Sequence, residues 1–320
     1  MTTTSLSVPP GWLTPIRLRH ELLDAGYNDR AIARRVIAGE LARSRRGAYV
    51  DGATHRELDR VGRYQLFARS VLAQSRTTVS LSHGAALLWH GAPDYGIDLR
   101  QVDVTRHDGG SGRIGAGVRQ HCGVLLPEDS ASVHGVPVTS ATRAALEFTT
   151  VAGLEASVVQ MSMMLHARRT TPALLELGRA RMVEWPNSLR TDLACRLADS
   201  RLESVAEARF LMLCFRYSVP RPDLQYVVRD EWQREAARLD FAWPRHRATG
   251  RPGPGTRGCA DLSCLQARRP ARSAAQRGDV VVGGVSGLRR VGEDAQGDRG
   301  GESALEGVED VGPGHDLAGH

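Results

Sequence analysis

Along the first fifty residues the apolar positions change from helical spacing to strand spacing. The stretch opens at residue 12 with helical periodicity: Thr14 can cap a helix, Pro15 fits its first position, and IRLRHELLDAG runs to a stop at Gly26. A second cap, Asn28 or Asp29, precedes RAIARRVIAG, which ends at Gly39. ELARSRRGAYV then reads as two short strands around an Arg-Arg-Gly turn. Short helices followed by a basic hairpin describe a winged helix-turn-helix over residues 12–52.

Residues 55–76, with ELDRVGRYQLFARSVLAQS, read as a connecting helix. SHGAALLWHG reads as a helix opened by Ser80 or Ser82. DLRQVDVT, GVRQHC and HGVPVTS alternate or carry β-branched residues between Gly- and Asp-rich turns, as strands do. TSATRAALEFTTVAGLEASVVQMSMMLH and TPALLELGRARM read as helices, so residues 77–185 are expected to form a central α+β domain. From 188 the chain is helical again, through ESVAEARFLMLCFRYSV, and then gives two strands, LQYVVRD and RLDFAWP. That is the opening of an α/β module over residues 188–247.

The pattern then fails. All of the Phe, Trp, Tyr and Met residues lie at or before Trp243, and no Ile follows it. Such a tail cannot bury enough apolar surface to offset its chain entropy, so residues 248–320 are expected to be disordered. The segment that follows the RLDFAWP strand, ATGRPGPGTRGCADLS, offers no strand pattern. The edge and apolar face of DFAWP would then be exposed, and proteolysis back to about residue 190 is expected.

Composition sharpens this picture at three points. The formal charge of +6 permits an acidic partner such as nucleic acid. The chain has no lysine, so all 42 basic residues are arginine, and mechanisms that need an ammonium group are excluded. The five cysteines, at 122, 195, 214, 259 and 264, form no CxxC pair and suit reduced thiols in a cytosol. With no signal-peptide pattern and no long apolar run, a cytoplasmic protein without a membrane partner is expected.

Three constellations could carry chemistry. Arg30 and Arg34 lie one turn apart on the second helix with Arg35 beside them, and Arg43, Arg45 and Arg46 line the hairpin. Arginine's planar fork suits phosphates and guanine, so these six are the candidate DNA contacts, against a plain solvated basic face. Glu203 and Glu207 share a helix face, and Asp240 follows on a strand. A helix glutamate and a strand aspartate open the pattern of metal-dependent nucleases, in which carboxylates hold Mg²⁺. The Glu-x-Lys strand that would complete the pattern is missing, so Glu207 and Asp240 are expected to be an inactive remnant. No cofactor or metal is expected, Mg²⁺ entering only if the nuclease reading holds. His83 and His90, seven apart, are assigned capping and packing roles rather than a shared metal. GGSGRIGAG, at 109–117, is glycine-rich but is followed by no helix, and reads as a flexible turn.

Together RRGAYV, SLSHGAALLWHG, VDVT and HGVPVTSATRAALEF resemble actinobacterial proteins of the AbiEi-like group, the antitoxins of type IV toxin–antitoxin systems. ESVAEARF, PDLQYVVRD and RLDFAWP are similar to the C-terminal domain many of these proteins carry, which is related to very-short-patch-repair endonucleases. The resemblance covers roughly residues 12–247. It implies an α+β chain with an N-terminal winged helix-turn-helix, a central antitoxin-like domain and an incomplete restriction-endonuclease-like module. It also implies a transcriptional regulator that binds promoter DNA, with Arg34, Arg35, Arg45 and Arg46 facing the DNA. Glu207 and Asp240 match the nuclease acids. A cognate toxin relationship follows from the same likeness, and a central domain that binds a partner protein is the competing reading. In similar proteins a second acidic strand follows; its absence here points to a change of reading frame near codon 247, the alternative being a native disordered tail.

Overall fold

The computed structural model describes residue 13, residues 15–244, and the backbone of residues 248–251, 281–284 and 287–289. It is a mixed α+β chain built on three sheets.

The N-terminal unit runs β1 (Arg17–Leu18), α1 (Arg19–Asp24), α2 (Asp29–Ile37), β2 (Leu41–Arg45) and β3 (Ala48–Asp51), with sheet order β1-β3-β2. Two details differ from the sequence expectation. The helix expected from Pro15 begins only at Arg19, because Arg17 and Leu18 pair with Tyr49 and Ala48 of β3 as a short strand. Thr14 lies outside the described residues. The second cap is as expected: the Asn28 side chain accepts from the Ala31 amide at 2.9 Å. Leu22, Ile32, Leu41 and Tyr49 form a small core between the helices and the hairpin. Gly47 turns the hairpin at φ +77°, a left-handed conformation that suits glycine.

The expected connecting helix is two helices, α3 (Gly52–Glu57) and α4 (Arg60–Ala73), broken at Leu58, with Asp59 capping the second. A side chain on Gly52 would meet the Gly39 carbonyl oxygen at 2.0 Å, so this joint requires glycine. The hairpin is fastened to α4: the Ser44 and Ser70 hydroxyls lie 2.6 Å apart, and Gln74 donates to the Arg46 carbonyl at 2.9 Å.

The central sheet contains β4 (Val79–Leu81), β5 (Val102–Arg106), β6 (Arg113–Gly115), β7 (Val118–His121), β8 (Ser130–Val133) and β9 (Val136–Thr139), in the order β6-β7-β5-β4-β9-β8. The glycine-rich segment is thus partly strand: Arg113–Gly115 pairs antiparallel with β7. Between β4 and β5 lies α5 (His83–Trp89); α6 (Ala141–Val151), α7 (Leu154–His166) and α8 (Pro172–Ala180) follow the sheet. Leu81, Val102, Val104 and Val138 are buried in the same core as Leu87, Leu146, Met161 and Met164.

Next come α9 (Ser188–Leu197), α10 (Val205–Arg216), β10 (Asp223–Arg229) and β11 (Glu235–Trp243). Ala194 and Leu197 of α9 and Met212 of α10 enter the main core, while Phe241 and Trp243 pack with Leu202, Leu211 and Val159 in a second cluster. The absence of a strand after residue 247 is corrected. β12 (Ala248–Arg251) pairs antiparallel with β11, followed by β13 (Val281–Gly284) and β14 (Gly287–Arg289). Backbone hydrogen bonding needs no apolar side chains, which is why composition gave no hint of these strands, and β11 is not a sheet edge. The rest of the segment expected to be disordered lies outside the described residues.

Candidate functional site

Arg30 and Arg34 lie on the α2 face opposite the buried Ile32, because a separation of two residues places side chains on opposite sides of a helix. Both are exposed, and among the described residues neither has a carboxylate partner. Arg35 is tied down: its guanidinium stacks 4.6 Å from the Tyr27 ring centre and lies 3.7 Å from Glu40. On the hairpin, Arg43 is exposed on the side of Tyr49, with its guanidinium 6.0 Å from that ring. The pairing register shifts between Arg43 and Arg45. As a result Arg45 joins Ser44 on the α4 side, where it donates to Gln74 at 3.2 Å and lies over Phe67. Burial there lowers its pKa. Arg46 is exposed at the turn. Of the six expected DNA contacts, Arg30, Arg34, Arg43 and Arg46 are outward-facing, while Arg35 and Arg45 have structural partners.

Glu207 is buried at the third position of α10. Its amide bonds the Ser204 hydroxyl at 3.2 Å, and its carboxylate accepts from the Glu203 amide at 3.0 Å and the Ser204 hydroxyl at 2.8 Å. Ser204 thus caps α10, and the Glu207 carboxylate reaches back past the cap to the preceding amide, that of Glu203. Gln225 of β10 also donates to Glu207, at 3.3 Å. Asp240 is half-buried on β11, where the register sets it opposite Gln225, and Arg238 on the same strand pairs with Glu203 at 3.3 Å. The two candidate acids therefore flank Gln225 in one polar neighbourhood, with Glu207's oxygens already occupied.

A third site was missed at the level of sequence. The register aligns Ser80 with Thr105, Asp103 with Arg119, and Thr105 with His121 across β4, β5 and β7. These residues share one face of the central sheet. His83 joins them from the start of α5 in a left-handed conformation, φ +49°, which a non-glycine residue adopts only at a cost of about 1–3 kcal/mol. The His83 and His121 rings stack 3.8 Å apart, and the His121 Nε2 lies 2.8 Å from Asp103. The His83 Nδ1 is 3.0 Å from the Ser82 hydroxyl and 3.7 Å from Glu147. Burial first, and then the charge of His121, push His83 down to about 3, so its ring is neutral at pH 7.

Behind the histidines stands a buried ion network. Arg143 donates to Glu147 at 2.8 Å and to Asp129 at 3.1 Å, with its guanidinium over the Trp185 ring at 4.4 Å. Removing one member of such a pair leaves an uncompensated buried charge. Three buried polar atoms near this network, Thr105 Oγ1, Arg119 Nε and Arg143 Nη2, have no partner among the described residues.

His90, as expected, has a packing role: it is buried and donates from Nε2 to the Thr139 carbonyl at 2.8 Å. The helix opens at Ser82, as expected, but no side-chain cap bond is made there, and the capping role expected of His83 is replaced by a contact of its Nδ1 with the Ser82 hydroxyl. The signal for the cluster was in the strands: polar residues at alternate positions of VDVT and VRQH, facing His83 of SHG.

No protein-family model matches the chain, and no curated protein matches it.

Proposed function

We propose that the protein is a DNA-binding transcriptional regulator of the antitoxin type, whose N-terminal unit reads double-stranded promoter DNA as a winged helix-turn-helix. The observation that carries this reading is the pair Arg30 and Arg34, exposed one turn apart on α2 with no carboxylate partner among the described residues. The order strand, helix, helix, hairpin, with the first strand pairing onto the hairpin, supports the winged motif. In this reading α2 enters the major groove and Arg43 and Arg46 follow the phosphates. The nuclease-like module contributes no cleavage, since the Glu207 carboxylate is committed to three donors within the fold.

The test is binding to duplex DNA from the region upstream of the gene, followed across a salt series. Affinity falls with salt, and each phosphate contact contributes about 0.9 to the logarithmic slope. The Arg30→Ala/Arg34→Ala double variant is expected to weaken binding by at least tenfold and flatten that slope. Arg45→Ala is expected to lower stability more than affinity, because its guanidinium is docked against α4. Unchanged affinity and slope in the Arg30/Arg34 variant overturn the proposal.

A further inference from the structure

The buried histidine cluster does not enter the DNA-binding reading, and its chemistry is that of a metal site. Candidate ligand atoms of His83, Asp103 and His121 all lie within 4.8 Å of one another, and among the described residues this is the one group of three or more such side chains. We propose that these three residues bind a divalent transition-metal ion of the Zn²⁺ class. Two imidazoles and one carboxylate suit Zn²⁺, Co²⁺ or Fe²⁺ and do not suit Mg²⁺, which prefers oxygen donors.

Three observations beyond proximity support the assignment. The Nδ1 of His83 already faces the Ser82 hydroxyl at 3.0 Å with Glu147 behind it, the outer-shell arrangement that orients a metal-binding imidazole and leaves Nε2 for the ion. Thr105 is fully buried on the same sheet face, opposite His121, and its hydroxyl has no partner among the described residues; a metal-bound water would supply one. The site is also reachable. The side chain of His121 is 20% exposed and that of Asp103 is 12% exposed, so an ion enters from the His121 side.

Charge and geometry set what must move. Arg119 lies 3.7 Å from Asp103 and opposes a cation, but it also bonds Gln101; Arg143 is paired with Asp129 and Glu147. Asp129 is further paired with Arg181 at 3.5 Å, so Asp103 is the carboxylate of this group that faces the histidines. Bonds of about 2.0–2.1 Å in a tetrahedron place ligand atoms about 3.3 Å apart, so the stacked rings must converge. His121 ends β7, and rotation of its ring exchanges the hydrogen bond to Asp103 for a shared ion.

The experiment uses the full chain without a histidine tag, stripped with EDTA and titrated with Co²⁺, then with competing Zn²⁺. One equivalent of Co²⁺ with visible d–d bands is expected, displaced by Zn²⁺. His121→Ala, at a partly exposed strand end where folding is retained, is expected to lose that equivalent, whereas the exposed control His166→Ala keeps it. Ser82→Ala is expected to weaken the site by about tenfold to a hundredfold. Uptake by the unaltered protein no greater than by His121→Ala, at equal far-ultraviolet circular dichroism, overturns the proposal.

Discussion

His90 shows how one buried residue couples stability to pH. Its ring is enclosed, and burial is the largest cause holding its pKa below the ordinary 6.5, with Arg169 acting in the same direction and the bond to Thr139 against it. The unfolded chain therefore takes up a proton at a pH where the folded chain does not. Stability is complete above the ordinary histidine pKa and declines as pH falls below it, by at most about 1.4 kcal/mol per pH unit for one such group. Urea unfolding at about pH 7.5 and pH 5.5 is expected to show a lower midpoint at the acid value with an unchanged slope. His90→Gln should reduce that difference, and equal pH dependence in the variant and the parent would remove His90 as the cause. The packing role of His90 was legible from sequence because one histidine inside an apolar helix face has few other uses. Asp103 and His121 were not. Polar residues at alternate strand positions ordinarily mark the solvent face, and here Asp103 and Thr105 are buried along with the apolar residues between them.

At the scale of elements, α10 is specified by its first turn. The segment ESVAE supplies Ser204 as cap, its hydroxyl accepts from the Glu207 amide, and the helix begins at the next residue. The Ser204→Ala variant is expected to lose about 1 kcal/mol of stability. Glu207→Leu is expected to lose more, since the Glu203 amide and the Gln225 side chain would both lose their acceptor. Denaturant midpoints measure both effects. Mg²⁺ added to the unaltered protein should leave its midpoint unmoved; a rise that Glu207→Leu abolishes would assign the carboxylate to a metal instead of a cap. The same helix marks the limit of motif reading. A glutamate that opens a nuclease pattern and one that braces the start of a helix are identical in sequence, and only the donors around Glu207 distinguish them. The hairpin teaches the converse: the Arg-Arg-Gly turn was readable, but the register shift that turns Arg45 from solvent onto α4 was not, because a one-residue irregularity leaves no periodic trace.

Across the whole molecule, the apolar clusters cut across the boundaries that composition suggested. The main core begins at Val50 of the hairpin, passes through α4 and the central sheet, and includes Ala194, Leu197 and Met212. Polar contacts reinforce the join: Thr191 of α9 shares a hydrogen bond with Thr149 of α6, and Asn187 donates to the Thr150 carbonyl. On the far side of α7, Val159 packs into the cluster of Phe241 and Trp243. Cutting the chain near residue 190 would uncover all of these. Each buried leucine- or methionine-sized side chain returned to water costs about 1.5–3 kcal/mol, and a typical domain has only about 5–15 kcal/mol in total. The sequence expectation of trimming to about residue 190 is therefore replaced. Limited proteolysis followed by intact mass measurement is expected to give a smallest stable product that still contains Trp243, whose indole donates to the Pro220 carbonyl at 2.6 Å. A lasting fragment that ends before α9 would mean that the central helices are stable without α9 and α10, and that the shared core contributes less than its burial implies.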